Sequence, residues 1–150
     1  MNYKMIRNIL GWILIFEAIF MIVPAVTALV YREEAIVSFL ICMAICVAAG
    51  GLLACRRAKD TVLYSREGFV IVAASWVILS IFGCLPFVIS GEIPNFADAL
   101  FETVSGFTTT GATILSDVES MSRSCLFWRA FTHWMGGMGV LMFVLAIAAS

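Results

Sequence analysis

The chain has 150 residues and a net charge of −1; 63% of its residues are hydrophobic and only 13% are charged. Its mean hydropathy is +1.06. So few charged residues cannot form the polar shell of a water-soluble domain, and the charge balance provides no basic surface for nucleic acid. The composition therefore predicts an integral membrane protein in contact with lipid, and it excludes the soluble and nucleic-acid-binding classes.

Four apolar stretches are long enough to cross a bilayer. A spanning helix needs about 20 apolar residues, because the hydrocarbon layer is about 30 Å thick and each residue adds about 1.5 Å. The stretches that meet this requirement are residues 8–30, 35–55, 68–89 and 125–150. They predict an all-α, multi-pass membrane protein.

The first stretch contains two residues that are unusual in a membrane helix, Glu17 and Pro24. Pro24 predicts a kink, because proline removes a helical hydrogen bond. Residues 26–28 resemble a signal-peptide cleavage site, but the long apolar run with Glu17 and Pro24 favours an uncleaved helix. A charge at mid-membrane costs about 2.5–3.5 kcal/mol or more. Glu17 is therefore either a functional proton or ion site or a protonated carboxyl packed between helices. We favour the second, because no basic residue lies at matching depth.

The five cysteines lie in or at the ends of apolar stretches and form no Cys-x-x-Cys pair. Cys42 and Cys46 are four residues apart and share a helical face, which is compatible with a thiol pair or a soft-metal site. Cysteine packs as a small apolar residue, so we expect neither a redox role nor a transition-metal site.

The basic residues predict the orientation, because cytoplasmic loops are enriched in lysine and arginine. Lys4 and Arg7 precede the first span, and only Arg32 lies between the first and second spans. The largest basic group lies between the second and third spans and consists of Arg56, Arg57, Lys59 and Arg66. We therefore expect a cytoplasmic N-terminus, an external region at 90–124 and insertion in the cytoplasmic membrane.

The segment between the third and fourth spans is too short for another crossing but has the pattern of a half-length helix. Asn95 is a favoured N-cap and Asp98 lies in the first turn. Apolar residues then recur at near-helical spacing, namely Phe96, Leu100, Val104 and Phe107. Residues 95–107 would extend about 20 Å, which predicts a re-entrant pore helix. Its C-terminal end, just beyond Phe107, carries a partial negative charge that stabilises a cation.

The residues after this helix are uncharged and rich in threonine, and they include one glycine. Backbone carbonyl groups in such a loop can replace the hydration shell of an ion, and Gly111 allows backbone conformations that other residues resist. The predicted ion-binding residues are Thr109, Thr110, Gly111, Ala112 and Thr113. The loop has no acidic ring, which argues against divalent selectivity. A polar external turn is the alternative on the pattern of the loop alone.

Two stretches together make a specific signature: residues 99–113, and the residues Phe127, Trp128 and Arg129 followed by 134–139. In these stretches the chain resembles the membrane subunit of Trk-type potassium uptake systems, within the Trk/Ktr/HKT superfamily. The first two spans resemble the accessory helix pair of the Trk branch.

The resemblance implies a potassium-channel-like fold with four helix, pore-loop, helix repeats around one pore and one filter glycine in each repeat. Gly111 would be the first of these glycines. Residues 1–60 would form the accessory pair and residues 61–150 the first repeat. The whole chain would cover about the first third of a family member. The resemblance further implies potassium as the transported ion, no organic cofactor, no enzymatic activity, a cytosolic nucleotide-binding regulatory subunit and a homodimer. A single loop cannot encircle an ion, so we expect the remaining repeats in a longer chain rather than an association of several copies. The end of the sequence at Ser150 also suggests truncation.

Other residues in this region have ordinary structural interpretations beside functional ones. Gly136, Gly137 and Gly139 allow close helix packing. Glu102 is expected to form hydrogen bonds with structural groups behind the filter. The alternative is that its charge attracts ions in a vestibule of the pore.

His133 is interpreted as a hydrogen-bonding interface residue rather than a pH sensor, and Arg123 and Arg129 as anchors at the outer membrane surface. The alternatives to potassium transport are a non-conducting membrane interaction module, a fragment without activity alone, and a membrane enzyme. The last would use Glu17, Glu102 or His133, which lie at different predicted depths.

Overall fold

The computed structural model describes residues 3–55 and 65–148, with the side chains of Ser65 and residues 143–148 outside the description. The basic group at 56–59 and Ser150, which entered the arguments above, lie outside the described residues. The described residues form seven helices: α1 Tyr3–Phe20, α2 Ile22–Tyr31, α3 Ala35–Ala54, α4 Ser65–Gly83, α5 Leu85–Ser90, α6 Phe96–Phe107 and α7 Arg123–Ala148. The predicted all-α class is confirmed.

Three stretches of the described chain are long and apolar enough to cross a membrane: Tyr3–Tyr31, Ala35–Ala54 and Arg66–Ser90. They coincide with the first three predicted spans. The fourth predicted span corresponds to α7, which has 26 residues. The short α6 lies between the third stretch and α7, where the sequence leaves too little chain for another crossing.

The first span is interrupted, as Pro24 predicts. Helix α1 ends at Phe20 and α2 begins at Ile22, because Pro24 has no N–H group to donate to the carbonyl four residues earlier. Met21 bridges the break, since its N–H donates to the carbonyl of Glu17 at 3.0 Å. The two helices therefore follow each other with only a local disturbance.

Helices α1 and α3 approach each other closely through two glycines. A Cβ atom on Gly11 would lie 2.6 Å from the carbonyl oxygen of Gly50, and a Cβ atom on Gly50 would lie 2.7 Å from that of Gly11. Asn8 adds a hydrogen bond of 2.9 Å from its amide nitrogen to the carbonyl of Ala54. Small residues allow this contact between backbones, which makes α1 and α3 a tight pair.

The main apolar core joins this pair to the rest of the chain. Phe39, Cys42 and Cys46 from α3 pack in one cluster with Phe87 and Trp128. The indole nitrogen of Trp128 donates to the carbonyl of Gly83 at 2.9 Å, at the break between α4 and α5. The expectation that Cys42 and Cys46 pack as apolar residues agrees with their complete burial.

Glu33 attaches the end of α2 to the start of α7. Its carboxylate accepts hydrogen bonds from the N–H groups of Arg123 and Ser124, at 2.8 and 3.0 Å, and from the Ser124 hydroxyl at 2.6 Å. The guanidinium of Arg123 also lies 4.4 Å from the ring centre of Tyr31. The carboxylate thus caps the partial positive charge at the start of α7.

The electrostatics of Glu33 follow from these contacts. Partial desolvation favours the neutral carboxyl, but the hydrogen bonds from Ser124 and Arg123 and the charge of Arg123 outweigh it, so the pKa of Glu33 is lower than its ordinary value. A carboxylate with a lowered pKa stabilises the fold above the pKa of the unfolded chain and loses that contribution as pH falls through the folded value.

Helices α6 and α7 pack backbone to backbone at Gly136. A Cβ atom at this position would overlap the carbonyl oxygen of Phe107, and it would lie 2.7 Å from the carbonyl carbon and 2.9 Å from the Cα atom. One turn earlier along α7, the hydroxyl of Thr132 occupies the space that a Cβ atom on Gly106 would need. The position of α6 therefore depends on glycine at 136.

We expect Glu33→Gln to reduce the free energy of unfolding at neutral pH by about 1 kcal/mol, because a neutral amide caps α7 more weakly than a carboxylate. The difference from the unmodified protein should shrink below about pH 4.3, where a carboxyl in the unfolded chain takes up its proton. Chemical denaturation in detergent from pH 3.5 to 7.5 measures this. Glu34→Gln, at the neighbouring exposed residue, is the control, and an equal effect of both substitutions would contradict the assignment.

We expect Gly136→Ala to reduce the stability of the protein by about 1–3 kcal/mol, since the added methyl group meets backbone atoms that cannot rotate away. Gly137→Ala is the matched control, because a Cβ atom there makes only an ordinary contact of 3.8 Å with Thr109. Thermal unfolding of the two purified variants gives the comparison. Equal midpoints would show that α6 does not need the close approach.

Candidate ion-binding loop

Helix α6 has half the length of a spanning helix and starts where the sequence predicts. Asn95 is extended, with φ −80° and ψ 120°, and its side-chain oxygen accepts a hydrogen bond from the N–H of Ala97 at 3.1 Å. Asp98 lies in the first turn, close to the positive end of the helix dipole. The 12 residues of α6 extend about 18 Å.

The apolar periodicity of α6 predicts the helix correctly but not its buried face. Phe96 and Val104 are largely exposed in the described structure, and only Phe107 from this apolar set is fully buried. The buried face consists instead of small and polar residues: Ala99, Glu102, Thr103, Ser105 and Gly106. Polar groups on this face are available to hold the chain that follows.

The helix ends in a tight turn that uses the N–H groups of the next residues. Thr109 donates to the carbonyl of Gly106 at 2.9 Å, and Thr110 and Gly111 both donate to the carbonyl of Ser105, at 3.0 and 3.4 Å. Thr109 has φ 57° and Gly111 has φ 75°. The turn therefore directs the N–H groups toward α6, while the carbonyls of Thr109, Thr110 and Gly111 accept no hydrogen bond within the described part of the chain.

Gly111 is required for its backbone conformation and not for space. Its φ of 75° lies in the left-handed region, and nothing lies within 4 Å of the position that a Cβ atom would take. A side chain would strain the backbone without meeting a neighbour. The sequence argument for a glycine with special backbone freedom agrees with this geometry.

Two side chains of α6 hold the part of the loop that leads away from the turn. The hydroxyl of Ser105 donates to the carbonyl of Ala112 at 2.6 Å. The carboxylate of Glu102 accepts hydrogen bonds from the Thr113 hydroxyl and from the N–H of Ile114, the second at 2.8 Å. The carbonyl of Ala112 is thus turned toward α6, whereas the carbonyls of residues 109–111 accept no hydrogen bond from the described residues.

Glu102 also binds α7. Its second carboxylate oxygen lies 2.9 Å from Nε of Arg129, and the Glu102 side chain is fully buried while that of Arg129 is 16% exposed. The interpretation of Arg129 as a surface anchor is therefore wrong, because this residue forms an ion pair behind the loop. Its position inside an apolar span was a usable signal, since a charged residue there needs a partner.

The remaining predicted residues lie beside the loop rather than in it. The His133 ring nitrogen Nδ1 donates to the carbonyl of Arg129 at 3.0 Å within α7, as expected for a structural hydrogen bond. Gly136 contacts Phe107 at the end of α6, and Gly137 faces Thr109. A Cβ atom on Gly139 would lie 3.5 Å from the ring of Trp76. Of the three glycines, only Gly136 makes a contact that excludes a side chain.

Chemically, the loop presents oxygen atoms without a formal charge. The exposed set consists of the carbonyls of residues 109–111 and the hydroxyls of Thr108 and Thr110, which are hydrogen-bonded to each other at 2.9 Å. The negative end of the α6 dipole points at the same place. Oxygen ligands of this kind suit a monovalent cation, and an anion would be repelled.

Comparison with known proteins identifies the family. The family model for TrkH, described as a cation transport protein, matches residues 35–149. The Trk system potassium uptake protein TrkH of Escherichia coli (strain K12) is 40% identical over 150 residues, a match that covers 98% of this chain and 31% of that protein. Trk system potassium uptake protein TrkG of the same strain is 33% identical and is covered to 30%.

The comparison with solved structures agrees with the sequence comparisons. The crystal structure of the potassium transporter TrkH from Vibrio parahaemolyticus matches with a TM-score of 0.91 and 37% identity, over 98% of this chain and 32% of that chain. The chain thus spans about a third of the length of the relatives that it matches. It belongs to the TrkH family of cation transport proteins.

Proposed function

We propose that this chain provides one re-entrant pore loop of a potassium transport protein in the cytoplasmic membrane. The observation that carries the proposal is the row of unshared carbonyl oxygens at residues 109–111, at the negative end of α6. The relatives TrkH and TrkG are potassium uptake proteins by name, which supports potassium as the ion. In this proposal Thr109, Thr110 and Gly111 contact the ion through their carbonyls, and Ala112 and Thr113 shape the remaining part of the filter.

The helices divide in the same proposal into an accessory part and a pore repeat. Helices α1, α2 and α3 form the accessory pair of spans, and α4 to α7 form a helix, pore-loop, helix unit. The close packing of α1 on α3 through Gly11 and Gly50 supports the first unit. The contacts of α6 with α7 support the second. The N-terminus is placed in the cytoplasm, because Lys4 and Arg7 precede the first span.

One loop supplies only part of the coordination shell of an ion. Since the chain spans 31% of the length of its Escherichia coli relative, we propose that further repeats complete the ring. A cytosolic nucleotide-binding regulatory subunit and a second copy of the whole protein are the proposed partners. Substitutions in the loop are accordingly tested in the full-length protein.

Gly111→Ser in the full-length protein should weaken discrimination against sodium, because a side chain at φ 75° costs about 1–2 kcal/mol of strain and moves the neighbouring carbonyls. Uptake of rubidium in competition with potassium and sodium measures the change. Gly91→Ser is the matched control, since Gly91 has φ 79° and equally open space but lies outside the loop. Unchanged selectivity in Gly111→Ser would overturn the filter assignment.

Glu102→Gln should abolish most of the uptake, because it leaves Arg129 without a buried partner and weakens the hold on Thr113 and Ile114. Removing one member of a buried ion pair costs about 3–5 kcal/mol. Asp98→Asn is the control, since Asp98 lies on the same helix but only at its first turn. Uptake and thermal unfolding are measured together on both variants.

Comparing the loss of uptake with the loss of thermal stability in Glu102→Gln shows whether Glu102 holds the loop or supports the whole fold. Loss of uptake with a folded protein supports a loop held by Glu102. Normal uptake and selectivity in a folded Glu102→Gln protein would contradict it. Absence of any ion flux through the reconstituted full-length protein would instead favour the alternative of a membrane interaction module.

A further inference from the structure

Glu17 is a buried acidic side chain that the proposed filter does not use. It lies in α1, its side chain is 1% exposed, and neither carboxyl oxygen has a hydrogen-bond partner in the described part of the chain. Helix α1 belongs to a stretch that is long and apolar enough to cross a membrane. A bare carboxylate in such a place would lose its hydration without compensation, so its neutral form is favoured.

Among the described residues, no basic group pairs with the Glu17 carboxyl. The titratable side chains near it are the thiols of Cys42 and Cys46 on α3 and of Cys84 between α4 and α5. The ion pair between Glu102 and Arg129 in the described structure does not involve Glu17. Neutral thiols cannot replace a counter-ion.

Glu17 and two side chains of α6 approach the same residue of α4, Gly83. A Cβ atom built on Gly83 would lie 2.9 Å from Oε1 of Glu17 and 3.1 Å from side-chain atoms of both Phe107 and Thr103. The carboxyl group, the α4 backbone and the end of α6 therefore meet at one point.

An apolar cavity borders the Glu17 side chain. Glu17 lines an apolar cavity of about 600 Å³ together with Ile13, Trp76, Phe107 and Trp134. The cavity is bounded by α1, α4, α6 and α7. Its lining gives no second charged side chain among the described residues.

We propose that Glu17 is a proton-binding site inside the membrane, and that its bound proton allows the accessory helix α1 to pack against α4 and the end of α6. Release of the proton leaves a charge that this dry contact does not accommodate, so α1 must separate from α6 or admit water. The site is therefore a proton-dependent link between the accessory pair and the loop. The proton site itself does not depend on the proposed function, whereas an effect on potassium uptake does.

Infrared spectroscopy of the purified full-length protein tests the proton directly. At pH 7, the carbonyl stretch of a protonated carboxylic acid should be present in the unmodified protein and lost in Glu17→Gln. It should persist in Glu34→Gln, which changes an exposed carboxyl. An acid band that is absent, or that is unchanged in Glu17→Gln, would overturn the proposal.

Carbodiimide labelling tests the same site without a substitution. A protonated carboxyl adds across one C=N bond of dicyclohexylcarbodiimide: the carboxyl oxygen bonds to the central carbon, the proton moves to nitrogen, and an acyl shift to nitrogen gives a stable N-acylurea. Mass spectrometry should find the whole reagent on Glu17 at pH 7 and not on exposed Glu34. Labelling of Glu34 with no labelling of Glu17 would overturn a protonated Glu17 open to the cavity.

Uptake measurements then separate the two proposals. If proton release acts on α6, potassium uptake by the unmodified protein should change over the pH range in which the acid band disappears, and Glu17→Gln should flatten that profile. Uptake that stays constant over the pH range in which the acid band disappears would overturn the link to α6. Failure of the proposed filter would appear differently, as unchanged ion selectivity in Gly111→Ser.

Discussion

The buried carboxylate of Glu102 is the interaction on which the geometry of the loop depends. It binds Arg129 on α7 with one oxygen, and the Thr113 hydroxyl and the Ile114 N–H with the other. Three separate parts of the chain thus meet at a single side chain. A charged group buried in a membrane protein is tolerated only when such partners satisfy it. Because the buried Glu102 carboxylate needs these partners, it holds the loop in one position.

Around this carboxylate, the loop separates its hydrogen-bonding groups by type. The N–H groups of residues 109–111 turn back to carbonyls of α6, which leaves the carbonyl oxygens of the same residues on the exposed side. The N–H groups of these residues hold the backbone in place, so the carbonyl oxygens are preorganised dipoles. Preorganised dipoles of this kind favour binding of a cation over water.

The first part of the chain, up to Glu33, approaches α7 and the end of α6 through two glutamates. Glu33 caps the start of α7 through charged hydrogen bonds. Glu17 lies at the same α4 residue, Gly83, as two side chains of α6, and its carboxyl oxygens have no hydrogen-bond partner among the described residues. The first contact stabilises an ionised carboxyl, because backbone N–H groups and a helix N-terminus surround it. The surroundings of Glu17 favour a neutral carboxyl, because this side chain is buried and borders an apolar cavity. Two glutamates in one helical pair are therefore suited to opposite charge states.

The sequence by itself determined the membrane class, the positions of three spans, the break near Pro24, the half-length α6 with its Asn95 cap, and the need for glycine at 111. These features depend on local chemistry: apolar length, a missing N–H group, a side-chain cap and backbone freedom. The predicted roles of the loop residues toward an ion stay predictions.

Only the tertiary structure decided which residues contact each other across different helices. The sequence placed Arg129 at a membrane surface, but α6 and α7 bring it to Glu102. It treated Gly136, Gly137 and Gly139 alike, yet Gly136 alone of the three meets backbone atoms of Phe107. Periodicity shows which residues share a face of one helix. Which neighbour covers that face, and at what rotation, depends on contacts between residues that are distant in the sequence, and these are not encoded in any local pattern.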